Sequence, residues 1–267
     1  MSAIRRPSYP AKLLLCLALA APASAAPGMA WTAAARVEIV RDAVRLMPES
    51  LRELMIHRER ELLAGLLEPG SAEDRPEHWQ HPEGAYGTAA RRAAAEAEDL
   101  AAAVNGRAPF PEIIRRFGRL AHWVSDVNDP LHAGDRDPRL RAYYRDYQIY
   151  LEQQLPRFPL VFQGYRDATL AAGGPEAYLM RSAQRSREYG RAVGRAYDPE
   201  GRRISLQAFD ERSLAFGVGS LSYSNAVNDI SRVWLWTWEQ AHGDTSRTPL
   251  PLPPARGAAK GDEDTIP

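Results

Sequence analysis

Residues 118–132 read Gly118-Arg119-Leu120-Ala121-His122-Trp123-Val124-Ser125-Asp126-Val127-Asn128-Asp129-Pro130-Leu131-His132. His122 and Asp126 stand four apart in a stretch whose apolar positions (Ile113, Ile114, Phe117, Leu120, Ala121, Val124) keep helical spacing. Residues four apart share one helix face, so both side chains can reach one ion. Asp129-Pro130 interrupts that helix and frees His132 from its phase. Imidazole and carboxylate are donors that zinc accepts where no thiolate is at hand. The same spacing also occurs as a plain helix-surface hydrogen bond.

Outward from this stretch the chain reads as helical almost throughout. Val37, Val40, Val44 and Leu46 form a stripe that stops at Pro48, and Leu51, Leu54, Met55, Leu62 and Leu63 form the next, ending near Gly65. A polar, turn-rich stretch covers Glu68 to Gly87. Thr88 is placed to cap an alanine-rich helix that stops at Asn105-Gly106, and Pro111 fits the first turn of the helix carrying His122. Further helices are expected over Pro138 to Leu155, Pro175 to Tyr197 and Ser205 to Ala241, with a join near Gly217 and Gly219 in the last. No segment alternates with a clean period of two, so no strand is predicted. The fold class is all-α.

The 34 Lys+Arg balance the 34 Asp+Glu, which removes any overall basic field for duplex nucleic acid or an anionic membrane. Arg5, Arg6 and Lys12 precede the apolar run Leu13 to Ala21, which is too short to anchor in a bilayer and reads as a signal peptide. Gly28-Met29-Ala30 offers the small-residue cleavage pattern and would leave Trp31 as the new N-terminus; cleavage near Ala25 or Ala26 is the competing position. Loss of those three cations takes the balanced chain to a mildly acidic −3. The single cysteine, Cys16, lies in the apolar run, so neither a disulfide framework nor a thiolate zinc cluster is available. The chain is thus expected to comprise a signal peptide at 1–30, one helical domain at 31–245 and a disordered Pro/Gly-rich tail at 246–267, exported to the periplasm or medium. It is expected to be monomeric, with no stable membrane anchor and no protein partner.

A second histidine cluster, Glu77-His78-Trp79-Gln80-His81, sits in the polar loop and suits either metal binding or a solvent-facing role. His57, among charged residues on a helix, and His242, at a helix end, read as non-ligands. Trp234, Trp236 and Trp238 and the tyrosines at 143, 144, 147 and 150 read as core. Neither a phosphate-cradling Gly-rich loop nor a Gly-x-Ser-x-Gly elbow is present.

Taken in order, Trp31, a loop histidine and His-xxx-Asp-xxxxx-His with Pro-Leu before its last histidine resemble the superfamily of zinc-dependent phospholipases C and fungal or plant single-strand nucleases. The likeness covers most of 31–245, and its specific part is 118–132. It implies an all-helical exported phosphoester hydrolase in which three zinc ions, held by a terminal Trp, five His and three acidic side chains, activate a water. By position Trp31 would supply amine and carbonyl, and His78, His122, Asp126 and His132 would be metal ligands, with Asp126 the catalytic carboxylate.

The departures from that pattern are as specific as the matches. Arg36 stands where the family has a His, Gly70 where it has a carboxylate, and Tyr144 and Gln148 where it has a His and an acid. Glu73 or Asp74 is the nearest replacement for the missing carboxylate. A guanidinium cannot ligate, and its charge repels a nearby cation. One zinc or none is therefore expected, on His78, His122 and Asp126. The substrate would be a phospholipid or a single-stranded nucleic acid. The alternative is a helical binding or structural protein that keeps the fold without the cluster.

Overall fold

The computed structural model describes residues 2–4, 31–68, 76–133 and 139–250. Eight helices carry it: α1 (Ala33–Val44), α2 (Glu49–His57), α3 (Glu59–Leu67), α4 (Ala89–Asn105), α5 (Phe110–Val127), α6 (Leu140–Gln154), α7 (Ala168–Gly194) and α8 (Leu214–Gln240). The all-α expectation holds. α8 runs through the centre, and Trp234, Val233, Ile230, Val227 and Ala226 on it are fully buried among residues of the common core. Trp234 packs edge-on against Phe117 and donates its indole N–H to the Phe117 carbonyl, 3.0 Å away. Tyr143, Tyr144, Tyr147 and Tyr150 are buried with Trp234, as the sequence suggests, while Trp236 and Trp238 are only partly buried against the core.

The crossing of α3 and α5 decides where the site lies. A Cβ on Gly65 would come within 1.9 Å of the Arg115 carbonyl oxygen, and one on Gly118 within 2.0 Å of the Leu62 oxygen. Only glycine lets the two backbones approach so closely. One turn beyond Gly118, α5 presents His122 to the end of α3.

Several local expectations need correction. The pattern from 51 to 65 is two helices, broken at Arg58, whose φ of −121° and ψ of 33° leave helical space. Thr88 precedes α4 without a side-chain capping bond. α7 is longer than expected at its start, from Ala168, but Gly174 at φ 70° and ψ −174° leaves helical space inside it, so a helix does open at Pro175 as expected, with a short helical stretch ahead of it. No join occurs at Gly217 or Gly219; α8 is continuous and begins at Leu214, capped by Ser213 accepting from the Phe216 N–H.

Two short strands are also present, against the expectation of none: β1 (Ser2–Ile4) pairs antiparallel with β2 (Leu160–Phe162). Three residues are too few for alternation to register in a sequence. β2 is tied to α8 as well, since Ser224 Oγ accepts from the Val161 N–H, and Asn228 bonds the Val161 carbonyl and the Gln163 N–H. Apart from β1, the segment read as a signal peptide lies outside the described residues. At the other end Arg247 pairs with Glu49 and Leu250 packs on the core, while 251–267 lie outside the description.

Candidate metal centre

α5 supplies His122 and Asp126 from one face, as their spacing predicts, and the loop before α4 brings His78 to them. His78 Nδ1 lies 2.8 Å from Asp126 Oδ2, His122 Nε2 lies 3.2 Å from the same oxygen, and the two nitrogens are 3.2 Å apart. All three residues are at most 1% exposed. Tetrahedral zinc with bonds of about 2.0–2.1 Å sets its donors roughly 3.3 Å apart. The three donor atoms therefore fit one ion with little adjustment, and this cluster could bind a metal.

The surroundings favour that use. His122 Nδ1 is 2.8 Å from the Leu66 carbonyl, one of the oxygens that the end of α3 leaves without a helical partner. Donation there fixes the tautomer and leaves the Nε2 lone pair facing Asp126, the usual orientation of a ligating histidine. Burial, and then the positive charge of Arg36, pull His122 below the ordinary imidazole value and keep it neutral. The Trp123 ring lies against both imidazoles, 5.0 Å from His78 and 5.2 Å from His122, and shields them.

Arg36 is the residue whose place the sequence foretold least. Rather than standing apart as an obstacle, its guanidinium is buried inside the cluster. Nε donates to the Trp31 carbonyl at 3.2 Å, Nη1 to the His122 carbonyl at 3.3 Å and to Ser125 Oγ, and Nη2 to Asp126 Oδ1 at 2.5 Å. Burial pushes the Asp126 carboxyl up, but the charge of Arg36, with the hydrogen bond from His78, outweighs it and holds Asp126 well below the usual carboxylate range.

The remaining expected ligands part company. Trp31 is buried and offers its carbonyl to Arg36. His132 is brought beside the cluster but on its other side: Nδ1 is 3.8 Å from Asp126 Oδ1, and the ring packs 5.1 Å from Trp79. Neither ring nitrogen of His132 has a hydrogen-bond partner among the described residues, and burial drives the imidazole down to about 3. Tyr144 and Gln148 bond each other, Gln148 Nε2 donating to the Tyr144 hydroxyl at 3.1 Å. Glu68 is spent on Arg115 and Arg119; Gly70, Glu73 and Asp74 lie outside the described residues. His81 accepts from the Glu83 N–H and His57 is exposed, so neither joins the centre.

Next to Trp31 a small cleft, with space for about one water molecule, is lined by Thr32, Ala35, Asp129, Leu131, Tyr147 and Gln148 among others. Sequence reasoning missed the Leu66 carbonyl, Ser125 and Trp123. The glycines at 65 and 118, unusual inside helical patterns, were the available signal for the first.

No known protein family's model matches the chain, and no characterised protein matches it in sequence. Among solved structures it is similar to the alpha-toxin of Clostridium perfringens isolated from avian strain SWCP. The identity is 13% and the TM-score 0.56, over 79% of this chain and 65% of the toxin. It is likewise similar to the alpha toxin of Clostridium absonum, at 13% identity and a TM-score of 0.59, over 80% of this chain and 66% of that one. The chain thus spans slightly less than two thirds of either toxin's length. At such identity the likeness is one of fold, and the fold is the all-α arrangement described above.

Proposed function

We propose that this chain is an exported phosphoester hydrolase that holds a single divalent metal, zinc by its donor set, on His78, His122 and Asp126. The observation that carries this reading is the triangle of donor atoms, 2.8, 3.2 and 3.2 Å on its sides, with His122 oriented from behind by Leu66. When bound, zinc supplies a Lewis acid and lowers the pKa of a water toward neutrality. The chain does the rest. Leu66 fixes the proton on His122 Nδ1, Asp126 stays ionised under Arg36, and the Trp123 ring keeps bulk water from the imidazoles. The cleft beside Trp31 adds Asp129, Thr32 and Gln148 as polar groups on an otherwise apolar wall, with space for about one water molecule.

The second reading, a fold kept without catalysis, draws on the burial of the centre. His78, His122, Asp126 and His132 are closed off together, which suits a metal held for structure. One assay separates the two: turnover of phosphatidylcholine vesicles, single-stranded DNA and a bis(nitrophenyl) phosphate by the purified chain, with zinc and after chelation. Zinc-dependent turnover of any of them that His122→Ala abolishes supports the hydrolase. A zinc-loaded chain inert on all of them supports the structural reading.

A further inference from the structure

The two oxygens of Asp126 face different partners. Oδ2 points at His78 Nδ1 and His122 Nε2, while Oδ1 points at Arg36. Around the Arg36 guanidinium converge the Trp31 carbonyl, the His122 carbonyl, Ser125 Oγ and Asp126 Oδ1, all oxygens and all on buried or nearly buried residues. Such a set of oxygens, with one anionic member, is also what a hard metal cation takes as ligands. A guanidinium fills it because its planar fork sends N–H groups in several fixed directions at once.

We propose that Arg36 is the permanent cation of a two-cation centre, holding Asp126 Oδ1 to the Trp31 carbonyl so that Oδ2 is left for one exchangeable metal on His78 and His122. Arg36 is thus a positioning residue. It sets the rotation of the Asp126 carboxylate and occupies the place that a second metal would need. The exchangeable-metal half of this proposal rests on the function proposed above; the place of Arg36 does not.

The test is metal content and the visible spectrum of the cobalt-loaded protein, for the wild-type chain and for Arg36→His and Arg36→Lys, each checked for helical content by circular dichroism. The wild type should hold one cobalt per chain. Arg36→His should hold one more than the wild type, because an imidazole joins the freed Oδ1 and the Trp31 carbonyl. Arg36→Lys keeps the charge but not the fork, so it should stay at the wild-type number with a shifted cobalt band. A folded Arg36→His that gains no metal overturns the proposal, as does a folded Arg36→Lys with an unchanged cobalt band; the latter decides the matter should Arg36→His not fold. A wild type without metal whose Arg36→His variant takes up one sinks the metal site at His78 and His122 while upholding the role of Arg36. A wild type and an Arg36→His that both hold one do the reverse.

Discussion

Arg36 and Asp126 form an ion pair of 2.5 Å with side chains only 2% and 0% exposed, one from α1 and the other from α5. Burying two charges is costly, and their attraction repays it only when further hydrogen bonds satisfy both groups. Here His78 bonds the carboxylate, and two backbone carbonyls and Ser125 complete the guanidinium. The pair is consequently a joint between α1 and α5 as well as part of the centre.

Breaking it from one side should be expensive. In the presence of chelator, Arg36→Met is expected to lower the unfolding free energy by about 3–5 kcal/mol, because Asp126 remains buried without its cation. Adding Asp126→Asn to that variant should recover part of the loss. Urea unfolding of the four proteins of the cycle measures this, and strictly additive losses would show that the two groups do not act as a pair.

The close crossing of α3 and α5 gives a second expectation. Gly118→Ala places a methyl where the Leu62 carbonyl oxygen now lies 2.0 Å from the Cβ position, so the helices must part. Overpacking of this kind costs about 1–3 kcal/mol, and here it also draws His122 away from Leu66. Stability and zinc affinity should fall together. Gly217→Ala is the control, since its Cβ meets nothing within 4 Å and the helix should gain up to about 1 kcal/mol. Equal stability of wild type and Gly118→Ala would contradict the crossing.

Asp167 caps α7, accepting from the Thr169 and Leu170 N–H groups and pairing with Arg181. Burial raises its carboxyl, but Arg181 and the two backbone donors outweigh that and leave it below its ordinary 3.8. A carboxylate lowered on folding stabilises above its unfolded value and loses that contribution as pH falls through the folded one. Asp167→Ala should therefore cost about 1 kcal/mol at neutral pH. The gap between the two proteins should close in acid, below about pH 4. Thermal unfolding from pH 7 down to pH 3 checks it, and a gap that widens in acid would reverse the sign.

Export makes its own prediction. If Gly28-Met29-Ala30 is the cleavage site, N-terminal sequencing of protein from the periplasm or medium returns Trp31. A chain that begins at Ala26, or one left uncut, contradicts it.

How much of this was legible depended on whether neighbours in space were neighbours in sequence. The His122–Asp126 pair could be read because helical periodicity fixes residues four apart, and the break at Asp129-Pro130 ended α5 where expected. His78 needed the family pattern, since nothing local ties a loop histidine to α5 across 44 residues. Arg36 was read for its charge alone. That it would satisfy Asp126 instead of merely opposing a cation depends on how α1 docks, which no local pattern encodes. Leu66 contributes a backbone carbonyl, so its side chain carried no message; only the paired glycines did. The break at Arg58 and the continuous run of α8 through Gly217 and Gly219 show tertiary packing overriding local propensity.

Everything proposed for the centre depends on His78, His122 and Asp126 holding one metal ion. Calorimetric titration of the chelator-stripped chain with zinc tests it most directly. A single tight site is expected in the wild type and none in His122→Ala, with the variant's helical content unchanged. No binding by the wild type, or binding that survives His122→Ala undiminished, would contradict it.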